Sequence, residues 1–411
     1  MSNATAIPAS TSLPAPGSPT PSRVYDGVVC FGGVDWWYHN RGHYDIQMMR
    51  EFSARMPVLY INSIGMRMPK PAEGKMFFKR VKRKLASFRR GAVSVRPNFT
   101  VFSPFSIPGK RAAALSRRLL ASQVRRAARA MGIRKPLVWV ACPPGAEVLN
   151  DLDAVGVVYQ RTDRFEAFKG VDPERIAGFD RVLKARADLT LYCAHLLMDE
   201  ERGQARRAAF VDHGVDYDLF SRAGLAPVNT PDSQPADVRD LPRPRVGFVG
   251  GIDAHTFDPP MFVEVARAMP DVTFVLVGAC SLPEGWCPLP NVHLLGQRPY
   301  EQVAAYMASS DVLIMPWNQS PWIEACNPVK LKEYLAVGRP IVSTPFYELK
   351  QYSGLVRVAR GSAEFVNQVR AALGQSFDAG PGRLRVERAT WRAHADQVVT
   401  ELAAVGLAPA S

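Results

Sequence analysis

The segment Asn327 to Thr344, NPVKLKEYLAVGRPIVST, carries a lysine and a glutamate three residues apart in an otherwise apolar run. Asn327 suits an N-cap and Pro328 a first helical position, so the sequence predicts a helix from there to about Ala336, closed by Gly338. The free N–H groups and partial positive charge at such a helix start suit a phosphate, and Lys330 would add a full charge. Glu333, one turn on, shares that face and can accept hydrogen bonds from a ribose diol. A solvated Lys/Glu pair on an ordinary helix has the same spacing, so both readings stay open. A second polar group lies near the front of the chain, in CFGGVDWWYHNRGHYD (30–45). There Gly32 and Gly33 give room, Asp35, His39, Arg41 and His43 supply polar groups, and Trp36 and Trp37 offer sugar-stacking faces. This reads as an acceptor loop; a capped helix start with packed tryptophans would use the same residue types.

These residues need a frame that brings them together. Short apolar runs at 27–33, 58–63, 137–142, 156–160 and 189–193 alternate with segments long enough for crossover helices, which is the rhythm of a parallel α/β sheet. A stretch rich in Pro, Asp and Ser, 225–245, breaks the rhythm and reads as a linker. The rhythm then restarts at 246–251, 272–278, 292–296, 312–317 and 339–344. The expectation is two Rossmann-like, doubly wound domains, 23–224 and 246–385, facing a central cleft at the carboxyl ends of their strands. Residues 386–411 would form a helix and tail returning toward the first domain.

Composition limits the alternatives. A chain of 411 residues is too long for one ordinary core, and 47% hydrophobic with 22% charged residues is that of a folded protein. The formal net charge of +13 attracts anionic partners: nucleic acid, an acidic membrane surface or a phosphorylated substrate. Six scattered cysteines show neither metal-ligand spacing nor a disulfide framework and read as reduced cytoplasmic thiols. Residues 1–22 lack the basic and apolar regions of a signal peptide and read as a disordered leader. No apolar run is long enough to span a bilayer.

PVKLKEYLAVGRPIV resembles the donor-nucleotide helix of GT-B glycosyltransferases, the retaining family-4 group and its relatives. The resemblance implies that Glu333 holds the ribose and that Asn327 and Lys330 hold the diphosphate of a nucleotide sugar. HGVDYDLF (213–220) resembles the turn that ends the first domain in that group. VGFVGGID (246–253) resembles its glycine-rich turn, where Gly250 and Gly251 would let the diphosphate sugar approach the backbone. Residues 289–317 resemble its base-binding segment, with Gln297 and Arg298 bordering the base and UDP favoured over GDP. Two features depart from family 4. Its usual Glu-x7-Glu has Ala325 in the first place, with Glu324 one residue out of register, and no Arg or Lys follows the glycine turn. The pattern is also similar to the inverting xanthan-type glucuronosyltransferase, whose Tyr-Arg-x-x-Asp aspartate is the catalytic base. YQRTDRFEAF (159–168) has Asp163 in that place, where it could deprotonate an acceptor hydroxyl; a helix cap or an ion pair with Arg161 or Arg164 are the alternatives. Retention and inversion both stay open.

KMFFKRVKRKLASFRR (75–90) places Phe77, Phe78, Val81, Leu85 and Phe88 on one helical face among eight basic residues, the signature of a helix lying on anionic lipid. Packing of its apolar face on the domain or nucleic-acid binding would use the same pattern. The combined reading is a glycosyltransferase that moves a sugar from a UDP-sugar to a lipid-linked glycan. It would be peripherally bound at the cytoplasmic membrane face, in exopolysaccharide or envelope-glycan assembly, without metal or other cofactor and without nucleic acid as partner. The rivals are a GT-B-fold sugar-nucleotide epimerase, a basic nucleic-acid-binding protein and an inactive partner of another transferase.

Overall fold

The computed structural model describes residues 23–38, 42–62, 64, 75–105, 113–226 and 234–410. The expected leader, His39 and Arg41 lie outside the described residues. Two sheets organise the chain. The first has eight strands in the order Ala92–Arg96, Phe99–Phe102, Val58–Ile61, Gly27–Phe31, Pro136–Val140, Gly156–Arg161, Leu189–Tyr192, Ala208–Phe210. All neighbours pair in parallel except the first two. The central strands are Val-, Leu- and aromatic-rich and closed to solvent on both faces, as parallel strands covered by helices must be. The antiparallel edge escapes the sequence reading because AVSVR is half exposed, and its tight turn depends on Asn98 at a φ of 56°.

The second sheet runs Val292–Gly296, Thr273–Val277, Arg245–Val249, Val312–Met315, Ile341–Ser343, Arg357–Val358, all parallel. Both sheets reverse direction of winding beside their first strand, and ligands bind at the carboxyl ends next to such a switch. The architecture is two Rossmann-like, doubly wound halves, as expected.

The chain changes halves earlier than the composition suggests. Helix Tyr217–Leu225 packs on helices Val329–Val337 and Tyr300–Ala308 of the second half, although residues up to 224 were read as part of the first. The reason is close packing: Phe220 meets Tyr300 edge to face, and any side chain at Gly224 would strike the Val337 carbonyl oxygen. The expected linker contains a short helix, Ala236–Arg239, and its last residue already belongs to strand Arg245–Val249. The chain finally returns: helix Trp391–Ala404 packs on helix Tyr44–Ser53, and Leu407–Pro409 pairs in parallel with Arg23–Tyr25. Trp391, Val398 and Leu402 thereby join the core of the first half. Among the described residues no helix is long and apolar enough to cross a membrane.

Candidate active site

The expected donor helix is Val329–Val337. Its C-terminus is closed by Gly338 at a φ of 75°, a left-handed position that glycine adopts without strain. Its N-cap is Pro328, one residue later than expected, and Asn327 does not cap it. The first N–H used within the helix is that of Leu331, which donates to the Pro328 carbonyl, so those of Val329 and Lys330 point out of the helix end.

Lys330 lies beneath the glycine-rich turn. Its Nζ is 4.6 Å from the centre of the Phe248 ring and 5.3 Å from that of Trp317. A Cβ on Gly250 would fall 2.1 Å from Nζ, so the missing side chain is what admits the ammonium. The turn itself is stitched to its neighbours: Gly250 N–H donates to Val277 and Gly278 N–H to Gly296, aligning the carboxyl ends of three strands. Among the described residues no carboxylate lies within ion-pair distance of Lys330. Burial pushes its pKa down to about 8, against the opposing pull of Glu333 and Asp253. Gly251 is exposed at the tip of the turn. Glu333, 5% exposed, is pushed up to about 7 by burial, with Lys330 and the Tyr300 hydroxyl holding it down.

Asp163 faces this assembly from the first half. It follows strand Gly156–Arg161 and is reached by the thiol of Cys326, 3.9 Å from Oδ1, from the segment leading into the donor helix. The ion-pair alternative does not form. Arg161 is spent on Glu166 and Glu201, with Asp180 at 3.3 Å, and Arg164 on Glu200. Burial lifts Asp163 to about 6, against smaller opposing effects from Thr162, Arg161 and Cys326. A carboxylate half-titrated near neutrality suits a general base. Beside it, Phe168 crosses the junction to stack on His255, 5.4 Å away, and to meet Trp322 at 4.3 Å.

Several expected site residues are placed elsewhere. Asn327 turns its amide toward the first half: Nδ2 donates to the Cys193 carbonyl and to Asp212 Oδ1, and Oδ1 accepts from Lys332. Gln297 is exposed after the edge strand, and Arg298 is drawn to Asp237 at 2.5 Å and the Tyr306 hydroxyl at 2.8 Å. The room at Gly32 is filled by Tyr60, whose ring atoms would lie 2.1 Å from a Cβ there. Gly33 N–H donates to Asp45, and Asp35 accepts from Trp37 N–H and the Ser87 hydroxyl. Trp36 is buried against the rings of Tyr60 and Phe99, on two internal strands, and offers no sugar face. Trp37 lies under Arg90, and His43 is exposed at the start of helix Tyr44–Ser53. Asp212, Lys332, Cys326 and Phe168 were not singled out; the extra lysine in VKLKE, on the far side of the helix, was the available signal for one of them. Among the described residues no group of three or more His, Cys, Asp or Glu could hold a metal ion.

Residues 243–375 match the family described as glycosyl transferases group 1. TuaH of Bacillus subtilis (strain 168), a glycosyltransferase named for teichuronic acid biosynthesis, is 34% identical over 181 residues, 41% of this chain. That match spans 43% of the relative, less than half its length. Among solved structures, Anabaena HepE in complex with UDP-glucose superposes with a TM-score of 0.66 at 13% identity, over 92% of this chain and 99% of that one. Sucrose-phosphate synthase of Thermosynechococcus elongatus gives 0.65 at 16% identity over the same shares, 92% and 99%. A UDP-forming trehalose-phosphate synthase of Burkholderia vietnamiensis gives 0.60 at 14%, over 94% and 99%. At such identities the likeness establishes the fold, which is GT-B. The family match lies in the second half of the fold, on the segment that carries helix Val329–Val337.

Proposed function

We propose that this protein transfers a sugar from a UDP-sugar to a lipid-linked glycan at the cytoplasmic membrane face during cell-envelope polysaccharide assembly. The observation that carries the donor half is Lys330: a half-buried ammonium with no carboxylate within ion-pair distance among the described residues, under a glycine turn and at a helix start, suits an anion. A diphosphate supplies that anion, and the names of HepE's ligand and of the UDP-forming synthase favour UDP. TuaH's name favours an envelope polysaccharide. Support for the membrane face comes from helix Lys75–Arg90, where Lys82, Arg83, Arg89 and Arg90 are exposed beside Leu85, and from the exposed Phe105 that meets Phe88.

In the proposed reaction Asp163 takes the proton of the acceptor hydroxyl, whose oxygen attacks the anomeric carbon. The bond from that carbon to the diphosphate breaks, and the leaving charge settles on Lys330 and the helix N–H groups. As a single displacement from the face opposite the diphosphate the step inverts the anomeric carbon; at the place of the first glutamate of Glu-x7-Glu, Ala325 packs with Tyr192, Ala194 and Leu197, and Glu324 is exposed.

The test is a binding and turnover screen of the purified chain against UDP- and GDP-sugars, with and without added metal, beside Glu333→Ala. The expected result is binding of one nucleotide, weakened by about 1–3 kcal/mol in the variant. No binding of any nucleotide sugar by the wild-type protein overturns the proposal.

A further inference from the structure

In VKLKE, Lys330 and Glu333 share one side of the helix, whereas Lys332 is two residues, about 200°, around from Lys330. Lys332 is 1% exposed, and its ammonium meets Asp212 Oδ1 at 2.8 Å and Asn327 Oδ1 at 3.1 Å. The same Asp212 oxygen accepts from Asn327 Nδ2 and from His213 N–H, each at 2.7 Å. Asp212 stands just beyond strand Ala208–Phe210, so this cluster ties the back of the donor helix to the end of the first sheet.

The connection continues to the base. Asn327 Nδ2 donates to the carbonyl of Cys193, and the Cys193 thiol donates to the carbonyl of Thr162 at 3.4 Å, one residue before Asp163. A second buried link runs parallel: Glu348, from the second half, accepts from the backbone N–H of His195 and lies 2.9 Å from its Nδ1. Lys332, Asn327 and Glu348 are buried, and Asp212 is mostly so. The cluster joins the two halves through polar groups, which hold one geometry where apolar packing would allow several.

We propose that Asp212, Lys332 and Asn327 are positioning residues: they set the placement of Lys330 on the donor helix relative to Asp163 across the junction. The proposal rests on the transferase reading above and adds to it residues that touch neither substrate. Their effect belongs to the step in which base and leaving group must act together, and not to donor binding, which the second half performs alone.

The experiment uses the full chain, with Lys332→Met, Asp212→Asn and the double variant, measuring melting temperature, UDP affinity, kcat, KM and the pH profile. The expected result is a loss of about 10–100-fold in kcat, the scale of a misplacement near 1 Å, with UDP affinity within about threefold of wild type. The double variant should lose no more than the worse single one, since both break one contact. Lys332→Arg should regain part of the lost kcat by restoring the charge. Asp212→Asn keeps the side chain's shape and serves if Lys332→Met does not fold. Unchanged kcat in a folded variant overturns the proposal, as does a fall in UDP affinity that parallels kcat. Hydrogen exchange of the ligand-free proteins separates the two readings: faster exchange around Cys193 and Asp212 in Lys332→Met than in wild type supports positioning even where no donor turns over. Equal profiles there count against it.

Discussion

The two sides of the junction are built in opposite ways. On the donor side, Lys330 and Glu333 come from one turn of one helix, and the glycine turn above them is stitched by backbone hydrogen bonds to the end of the neighbouring strand. On the acceptor side, Asp163 follows its strand and is met by the Cys326 thiol, while its cationic neighbours Arg161 and Arg164 are committed to other carboxylates. Among the described residues Lys330 therefore has no carboxylate within ion-pair distance, while burial raises the pKa of the Asp163 carboxyl. A site for an anionic leaving group needs the first arrangement, and a proton acceptor working near neutral pH needs the second.

That contrast is broken or sharpened by four measurements. The largest effect is expected from Asp163→Asn, which should lower kcat about 10²–10⁴-fold, the usual contribution of a general base, and leave UDP affinity unmoved. Retention of configuration in the wild-type product, read by NMR, would remove Asp163 from that role. Lys330→Ala comes next: UDP should bind more weakly by about 1.5–3 kcal/mol, the range for a hydrogen bond to a charged group, as calorimetry would show.

The pH profile should combine the two sides. Asp163 acts only when deprotonated, so kcat/KM should fall as pH drops below about 6, and Lys330 only when protonated, so it should fall again above about 8. Lys330→Arg should remove the alkaline limb alone; a limb that stays assigns it to another group. The smallest effect lies farthest from the junction. Arg83→Gln and Arg90→Gln should each weaken binding to anionic vesicles by about 1 kcal/mol, with UDP affinity unchanged. Arg83 and Arg90 also sit over the rings of Tyr38 and Trp37, so an altered acceptor KM in solution would point to the loop instead of the lipid.

Legibility followed the range of the interactions. Nine of the internal strands and the edge strand Val292–Gly296 were readable because each carries a short apolar run, and Gly338 ends its helix where the local signal places it. The antiparallel edge, Arg357–Val358 and the pairing of Arg23–Tyr25 with Leu407–Pro409 were not, since short half-exposed strands carry little pattern of their own. Local rules also misplaced side chains that have a distant partner. Asn327 has the composition of a cap yet turns to Cys193 and Asp212, and Gly32 looks open until Tyr60 fills the space.

The amino-acid sequence alone determined the two doubly wound halves, the donor helix and the nearness of Lys330 to Glu333, because periodicity and caps act within a few residues. Only the tertiary structure decided that Lys330 meets no carboxylate among the described residues, that Asp163 is spared by Arg161, and that Lys332 reaches Asp212. Each of those depends on residues far apart in the chain. Whether a charge is paired, buried or exposed depends on what folding brings beside it, and no short window of sequence holds that information.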